Sequence, residues 1–316
     1  MALEPIFLLS PPRSGSTLLQ RVLSTHPDIA TTPEPWLLLP LFQAFHPDAT
    51  LATHDQSLLA RALGDFTQNL PNGQDDIDTA IRDCAISLYR KAGHGERFFL
   101  DKTPRYSLIV DDIIRAFPKA KFIFLFRDPV AVTQSMNTTW GKGNWVLFRH
   151  YIDLFDGMEN LAKAARTLGP RAHSLTYERF LQDPAKETGL IYTYLGLPEP
   201  EAAPTAPPLS GQMGDPTQAP EIGTKAPDWH QTPLTLARRI WLNRYLNHLG
   251  EETLFLMGYT QQSLLDDLAK APRTLKGLGS DMSRIGYGAL YRHLSLPLWR
   301  AKGRRRKSGR VAIAYK

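Results

Sequence analysis

A chain of 316 residues with 42% apolar, 10% aromatic and 22% charged side chains has the makeup of a folded enzyme-sized protein and excludes a disordered or fibrous one. Its single cysteine, Cys84, excludes a disulfide framework and any thiolate zinc site. The net charge of +6 is local: residues 282–316 hold ten basic side chains and no acidic one, which leaves residues 1–281 at −4.

The chain opens on Ile6-Phe-Leu-Leu-Ser10, an apolar run closed by Pro11-Pro12, which reads as a buried strand entering a turn. Glu4 and Pro5 stand where a signal peptide would carry basic residues, so none is expected. Ser16 is expected to cap a helix whose inner face holds Leu19, Val22 and Leu23, and His26-Pro27 ends it. The apolar stretch 35–47 is too short to span a bilayer and is broken by Pro40.

Ile77, Ile81, the Cys84/Ala85 pair and Leu88 recur at helical spacing, which predicts an amphipathic helix over 76–91 with Cys84 packed on its apolar face. A strand at 98–102, a helix at 106–117 and a strand at 121–126 follow, the last apolar on both faces. Strands of that kind separated by a helix indicate a parallel βαβ unit, whose sheet the helices cover. Further helices are expected from 130 and over 145–168, with a fourth strand at 172–177. Residues 196–233 hold nine prolines and read as mostly irregular, before helices near 234–249 and 260–270. The expected architecture is α/β, a parallel sheet with helices on both faces, in one domain over 1–270 followed by a basic C-terminal tail over 271–316.

Pro12-Arg13-Ser14-Gly15-Ser16-Thr17 falls between the first strand and the first helix, where open parallel sheets bind ligands. Gly15 allows close backbone approach to an anion, the helix start offers N–H donors, Ser14, Ser16 and Thr17 add hydroxyls, and Arg13 adds a forked cation. A nucleoside-triphosphate loop has Lys after its second glycine, whereas Gly15 is followed by Ser16. The strand at 121–126 ends in Arg127 instead of a metal-holding acid. These absences weigh against the competing enzyme class, a divergent P-loop phosphotransferase (kinase).

Pro-Arg-Ser-Gly-Ser-Thr after a first strand resembles the 5′-phosphosulfate loop of sulfotransferases that use 3′-phosphoadenosine 5′-phosphosulfate (PAPS). Arg127-Asp128-Pro129 with Ser135 resembles that family's 3′-phosphate motif. The two occur in the right order, over about residues 5–195, in a form closest to bacterial and tyrosylprotein sulfotransferases. The resemblance implies a P-loop-like nucleotide-binding fold, PAPS as donor without a metal, and sulfuryl transfer to an acceptor hydroxyl or amine.

It assigns the donor to Arg13, Ser14, Gly15, Ser16, Thr17, Arg127 and Ser135. Glu34, after His26-Pro-Asp-Ile, resembles the family's catalytic base, and its proline and tryptophan neighbours favour partial desolvation. Lys102, in Asp101-Lys-Thr-Pro-Arg105, resembles the lysine that with Arg13 neutralises charge around the sulfuryl group. Tyr177 matches a position near the adenine, Lys225 and Gly214-Asp215-Pro216 a late nucleotide contact, and Arg105 and Tyr106 are expected toward the acceptor. His54, His94 and His230 stand as alternative bases.

The acceptor stays open among small molecules, lipids, sugars and carrier-bound chains. The basic tail, preceded by the leucine- and tyrosine-containing stretch 287–299, reads either as a solvated terminus or as a segment for an anionic membrane surface or an acidic partner. No specific nucleic acid is expected, because the acidic body offers no extended basic surface. A cytoplasmic protein, peripheral at a membrane if the tail engages one, is the expectation.

Overall fold

The computed structural model describes residues 3–47, 55–200, 203–209, 222 and 228–291. In chain order the elements are β1 (Glu4–Leu9), α1 (Ser16–Leu23), β2 (Ile29–Thr31), α2 (Leu38–Gln43), α3 (Gln56–Gln68), α4 (Gln74–Ala92) and β3 (Phe98–Asp101). Then come α5 (Val110–Ala116), β4 (Lys121–Phe126), α6 (Pro129–Gly141), α7 (Tyr151–Leu154), α8 (Asp156–Leu168) and β5 (Ala172–Thr176). They are followed by α9 (Tyr177–Gln182), α10 (Pro184–Leu195), α11 (Leu236–Leu256) and α12 (Gln261–Lys270). Residues 278–291 are helical as well.

The five strands form one parallel sheet in the order β2-β3-β1-β4-β5. Side chains alternate between its faces. Ile6 and Leu8 of β1, with Leu100, Ile123 and Leu125, pack on Leu19, Val22 and Leu23 of α1 and on Phe180 and Ile191 of α9 and α10. Phe7, Leu9, Phe99, Phe122 and Phe124 face the other way, into a larger core with α2, α4, α5, α8 and α11. Both faces are therefore dry, as the uninterrupted apolar runs require.

Several local expectations are corrected. Gly15, left-handed at φ 85°, occupies the N-cap position of α1 without a side-chain cap, and Ser16 is the first helical residue. Cys84 is exposed, because α4 turns Ile81, Ala85 and Tyr89 inward and leaves Cys84 and Leu88 outside that stripe. The expected helix over 145–168 is broken into a 3₁₀ turn at Leu147–Arg149, then α7 and α8, with Phe155 between them at φ −105°, ψ −80°. β5 stops at Thr176, whose hydroxyl accepts from Arg179 N, so Tyr177 opens a helix and does not end a strand. The short strand β2 had no counterpart among the four expected.

Residues 271–291 pack against the body. Leu234 N donates to Pro272 O at 2.8 Å, and Asp281 takes a forked contact from Arg238 at 2.8 and 2.9 Å. No helix among the described residues is long and apolar enough to cross a membrane.

Candidate active site

In a parallel sheet every strand delivers its following loop to the same edge, so residues far apart in sequence meet there. Here β1 leads to Arg13, β2 to Glu34, β3 to Lys102, β4 to Arg127 and β5 to Tyr177. The loop after β1 is wound tightly: Arg13 and Gly15 both lie in the left-handed region, at φ 66° and 85°. For an arginine that conformation costs about 1–2 kcal/mol, which the surrounding contacts must offset.

Those contacts join the loop to the start of α6. Arg127 Nη1 donates to Arg13 O at 2.8 Å, and Arg13 Nε donates to Ser135 Oγ at 3.2 Å. The Tyr177 ring lies 4.7 Å below the Arg127 guanidinium, and it packs so closely on Gly15 that a Cβ there would sit 2.3 Å from Cε2. Tyr177 thus abuts the phosphate-type loop itself. Ser14 Oγ and Arg127 Nε are buried and have no hydrogen-bond partner among the described residues, so a donor and a cationic N–H are available in this cradle.

Asp128, next to Arg127, is also buried. It caps α6 by accepting from Val130 N and Ala131 N, takes a 2.7 Å bond from Trp229 Nε1, and burial pushes its pKa up. This anchors one end of the proline-rich segment beside Arg127. Near its other end, the buried Arg21 of α1 donates to the carbonyls of Ala206 and Pro207. Lys225 and Gly214-Asp215-Pro216 lie outside the described residues.

The other half of the edge holds a largely buried ion pair. Lys102, 1% exposed, places Nζ 2.7 Å from Glu34 Oε1 and 3.2 Å from Thr17 Oγ1. Glu34 Oε2 accepts from Trp36 Nε1 at 3.2 Å. A carboxylate and an ammonium from two loops and a hydroxyl from the first turn of α1 are thereby brought into one cluster.

Beneath it lies a network that sequence reasoning missed. Asp101 is fully buried and accepts from Tyr89 OH at 2.6 Å, Tyr106 OH at 2.9 Å and Thr103 Oγ1 at 3.1 Å. Burial raises its pKa to about 6. Tyr106 OH in turn accepts from Leu38 N, and Thr103 Oγ1 from Trp36 N, so the segment around Glu34 is tied to the end of β3. Tyr106 is consequently a core residue, which corrects its expected exposure toward an acceptor. Arg105 bonds the buried Asp153 at 3.0 Å. Nearby, His150 packs at a tilt against Trp140, and burial with the charges of Arg105 and Arg149 lowers its pKa to about 4.

Of the alternative bases, His94 is exposed, His230 is held by Asp228 at 2.6 Å, and His54 lies outside the described residues.

A sequence-family model described as "Sulfotransferase family" matches residues 5–201. The nodulation protein NoeE of Sinorhizobium fredii is 39% identical over 135 residues, which are 43% of this chain and 31% of that protein. The protein-tyrosine sulfotransferase of Drosophila melanogaster is 28% identical over 131 residues, 42% of this chain and 24% of that one. The matched region thus spans about a third or less of either relative. Among solved structures, the sulfotransferase domain of the Synechococcus PCC 7002 olefin synthase superposes with a TM-score of 0.50 at 28% identity, covering 73% of this chain and 89% of that one.

Proposed function

From the premise that the chain belongs to the sulfotransferase family, we propose that it moves a sulfuryl group from PAPS to the hydroxyl, or an amine, of a small-molecule, lipid, sugar or carrier-bound acceptor. The observation that carries this reading is the junction of the two anion-binding motifs: Arg127 bonds the backbone of Arg13, and Arg13 bonds Ser135. A nucleotide bearing phosphate groups on both its 5′ and 3′ sides needs two such cation-and-hydroxyl grips at a fixed separation. The unpartnered buried atoms Ser14 Oγ and Arg127 Nε fit that need, since an anion would satisfy both.

Ser14, Gly15, Ser16 and Thr17 with the N-terminus of α1 would hold the 5′ side, and Arg127 with Ser135 the 3′-phosphate. When bound, PAPS supplies an activated sulfuryl group and a phosphate leaving group. Glu34 takes the proton from the acceptor as its oxygen bonds to sulfur, and the bond from sulfur to the phosphate oxygen breaks. Lys102 and Arg13 neutralise the charge that passes to that oxygen, from positions fixed before reaction by burial and hydrogen bonds. The loops after β2 and β3 line the acceptor side.

Calorimetric titration with the desulfated product PAP, beside ADP and ATP with Mg²⁺, tests the reading. Binding of PAP that requires the 3′-phosphate and no metal is expected. A preference for ATP would sink it.

A further inference from the structure

Helix α11 carries two apolar stripes, and only one of them is covered. Leu242, Tyr245, Leu246 and Leu249 are buried toward the body. Leu236 and Ile240, on another face, are 61% and 47% exposed. With α12 and the segment after it, that second stripe lines a cavity of about 660 Å³, floored by Leu234, Leu265 and Leu268 and edged by Leu275, which is 83% exposed. Apolar surface gathered in one concavity and left open to water marks a contact site.

The cavity's charge is one-sided. Arg239, Arg244 and Arg273 line it, and no acidic side chain does. Arg239 is fixed by its bonds to the carbonyls of Ala269 and Ala271, at 3.0 and 2.9 Å. Partial burial and the neighbouring charge of Arg273 lower its pKa. An apolar trough rimmed by arginines complements a ligand with hydrocarbon below and negative charge above.

We propose that the α11–α12 cavity docks this protein on an anionic phospholipid surface, with Leu236, Ile240 and Leu275 entering the acyl boundary and the three arginines meeting headgroup phosphates. The sequence beyond the described helix at 278–291 favours a membrane over a soluble ligand. Residues 292–316 hold nine basic side chains and no acidic one, the composition that supplements shallow apolar insertion with attraction to anionic lipid. The site involves neither the phosphate-type loop nor the Glu34–Lys102 cluster, so its failure would leave the donor reading untouched.

Co-sedimentation of the full chain with vesicles tests the proposal, using three parts phosphatidylcholine to one part phosphatidylglycerol beside pure phosphatidylcholine. The expected result is partitioning onto the anionic vesicles only. Arg244→Gln/Arg273→Gln and Leu236→Asn/Leu275→Asn should each weaken it about tenfold or more. All four positions are exposed, so thermal melts should match the parent and exclude misfolding as the cause. If both double variants partition like the parent, the basic tail alone is responsible and the proposal fails. Equal binding to neutral vesicles, or no vesicle binding at all, the outcome an acidic protein partner would give, also overturns it.

Discussion

Lys102 Nζ lies 2.7 Å from Glu34 Oε1, although the two residues are 68 positions apart and follow different strands. Their meeting depends on β2 and β3 being neighbours in the sheet. The proposed base and the proposed charge-stabilising cation therefore hold one another before any substrate arrives. Glu34→Gln keeps the shape while removing the proton acceptor. Sulfate transfer from labelled PAPS should fall about 10²- to 10⁴-fold. The buried ammonium also loses its counter-charge, at a cost of about 3 kcal/mol in stability, so the assay belongs well below the melting temperature. PAP affinity should stay near the parent value. A variant that transfers sulfate at the parental rate would assign the base elsewhere.

Arg127 is expected to read the 3′-phosphate. Arg127→Met should weaken PAP at least tenfold, the worth of a charge-assisted hydrogen bond at about 1.5–3 kcal/mol. The preference for PAP over ADP should shrink with it. Affinity for ADP, which lacks the 3′-phosphate, provides the control. If both nucleotides weaken equally, Arg127 acts by holding Arg13 O and not by touching the ligand.

Gly15→Ala should disrupt the loop twice over. Its Cβ would sit 2.3 Å from the Tyr177 ring, and φ 85° disfavours any side chain. In a Tyr177→Ala background the clash is absent and only the backbone strain remains, about 1–2 kcal/mol. A double-mutant cycle followed by denaturant unfolding should therefore show strong coupling between the two sites. Additive effects would mean that the ring does not pack where it is described.

The pH dependence of stability should carry two opposed components. Asp101 has a folded-state pKa of about 6 against an ordinary 3.8, through burial. The native state therefore binds the extra proton between these values, and stability falls as pH rises from about 4 to 6. His150 has a folded pKa of about 4 against 6.5. Its stabilising contribution is present above pH 6.5 and is lost as pH falls toward 4. Asp101→Asn should remove the first component, on the order of 3 kcal/mol, and leave a steeper acid loss. Melting curves between pH 4 and 7 for parent and variant would show it; parallel profiles would exclude a role for Asp101 titration.

Much of this arrangement was legible in the sequence because long apolar runs and turn residues report directly on buried parallel strands. Residues 6–10 and 121–126 could scarcely be anything else, and the loops that follow them carry the two motifs. What escaped lies where local signals are weak or conflicting. Ile29–Thr31 is too short to show a period, and only its pairing with β3 makes it a strand. Cys84 looked apolar by type, yet the stripe of α4 is set by Ile81, Ala85 and Tyr89. The Asp101 network joins α4, β3 and the 3₁₀ turn at Pro104–Leu108, so no sequence window contains it. Arg21 was unremarked because its partners, the carbonyls of Ala206 and Pro207, lie about 185 residues away.

The strand order also acts as a ruler. Adjacent strands lie about 4.8 Å apart, so the ends of β2 through β5 set the candidate groups along a row of about 19 Å. Arg13, from the central strand, stands at the midpoint. The loops after β4 and β5 fall on one side of it, with Arg127 and Tyr177, and those after β2 and β3 on the other, with Glu34 and Lys102. The groups proposed for nucleotide grip and for proton transfer thus occupy opposite wings of a shared axis. Loops on the Glu34 wing can be rebuilt for a new acceptor without disturbing a single residue that would hold the 3′-phosphate.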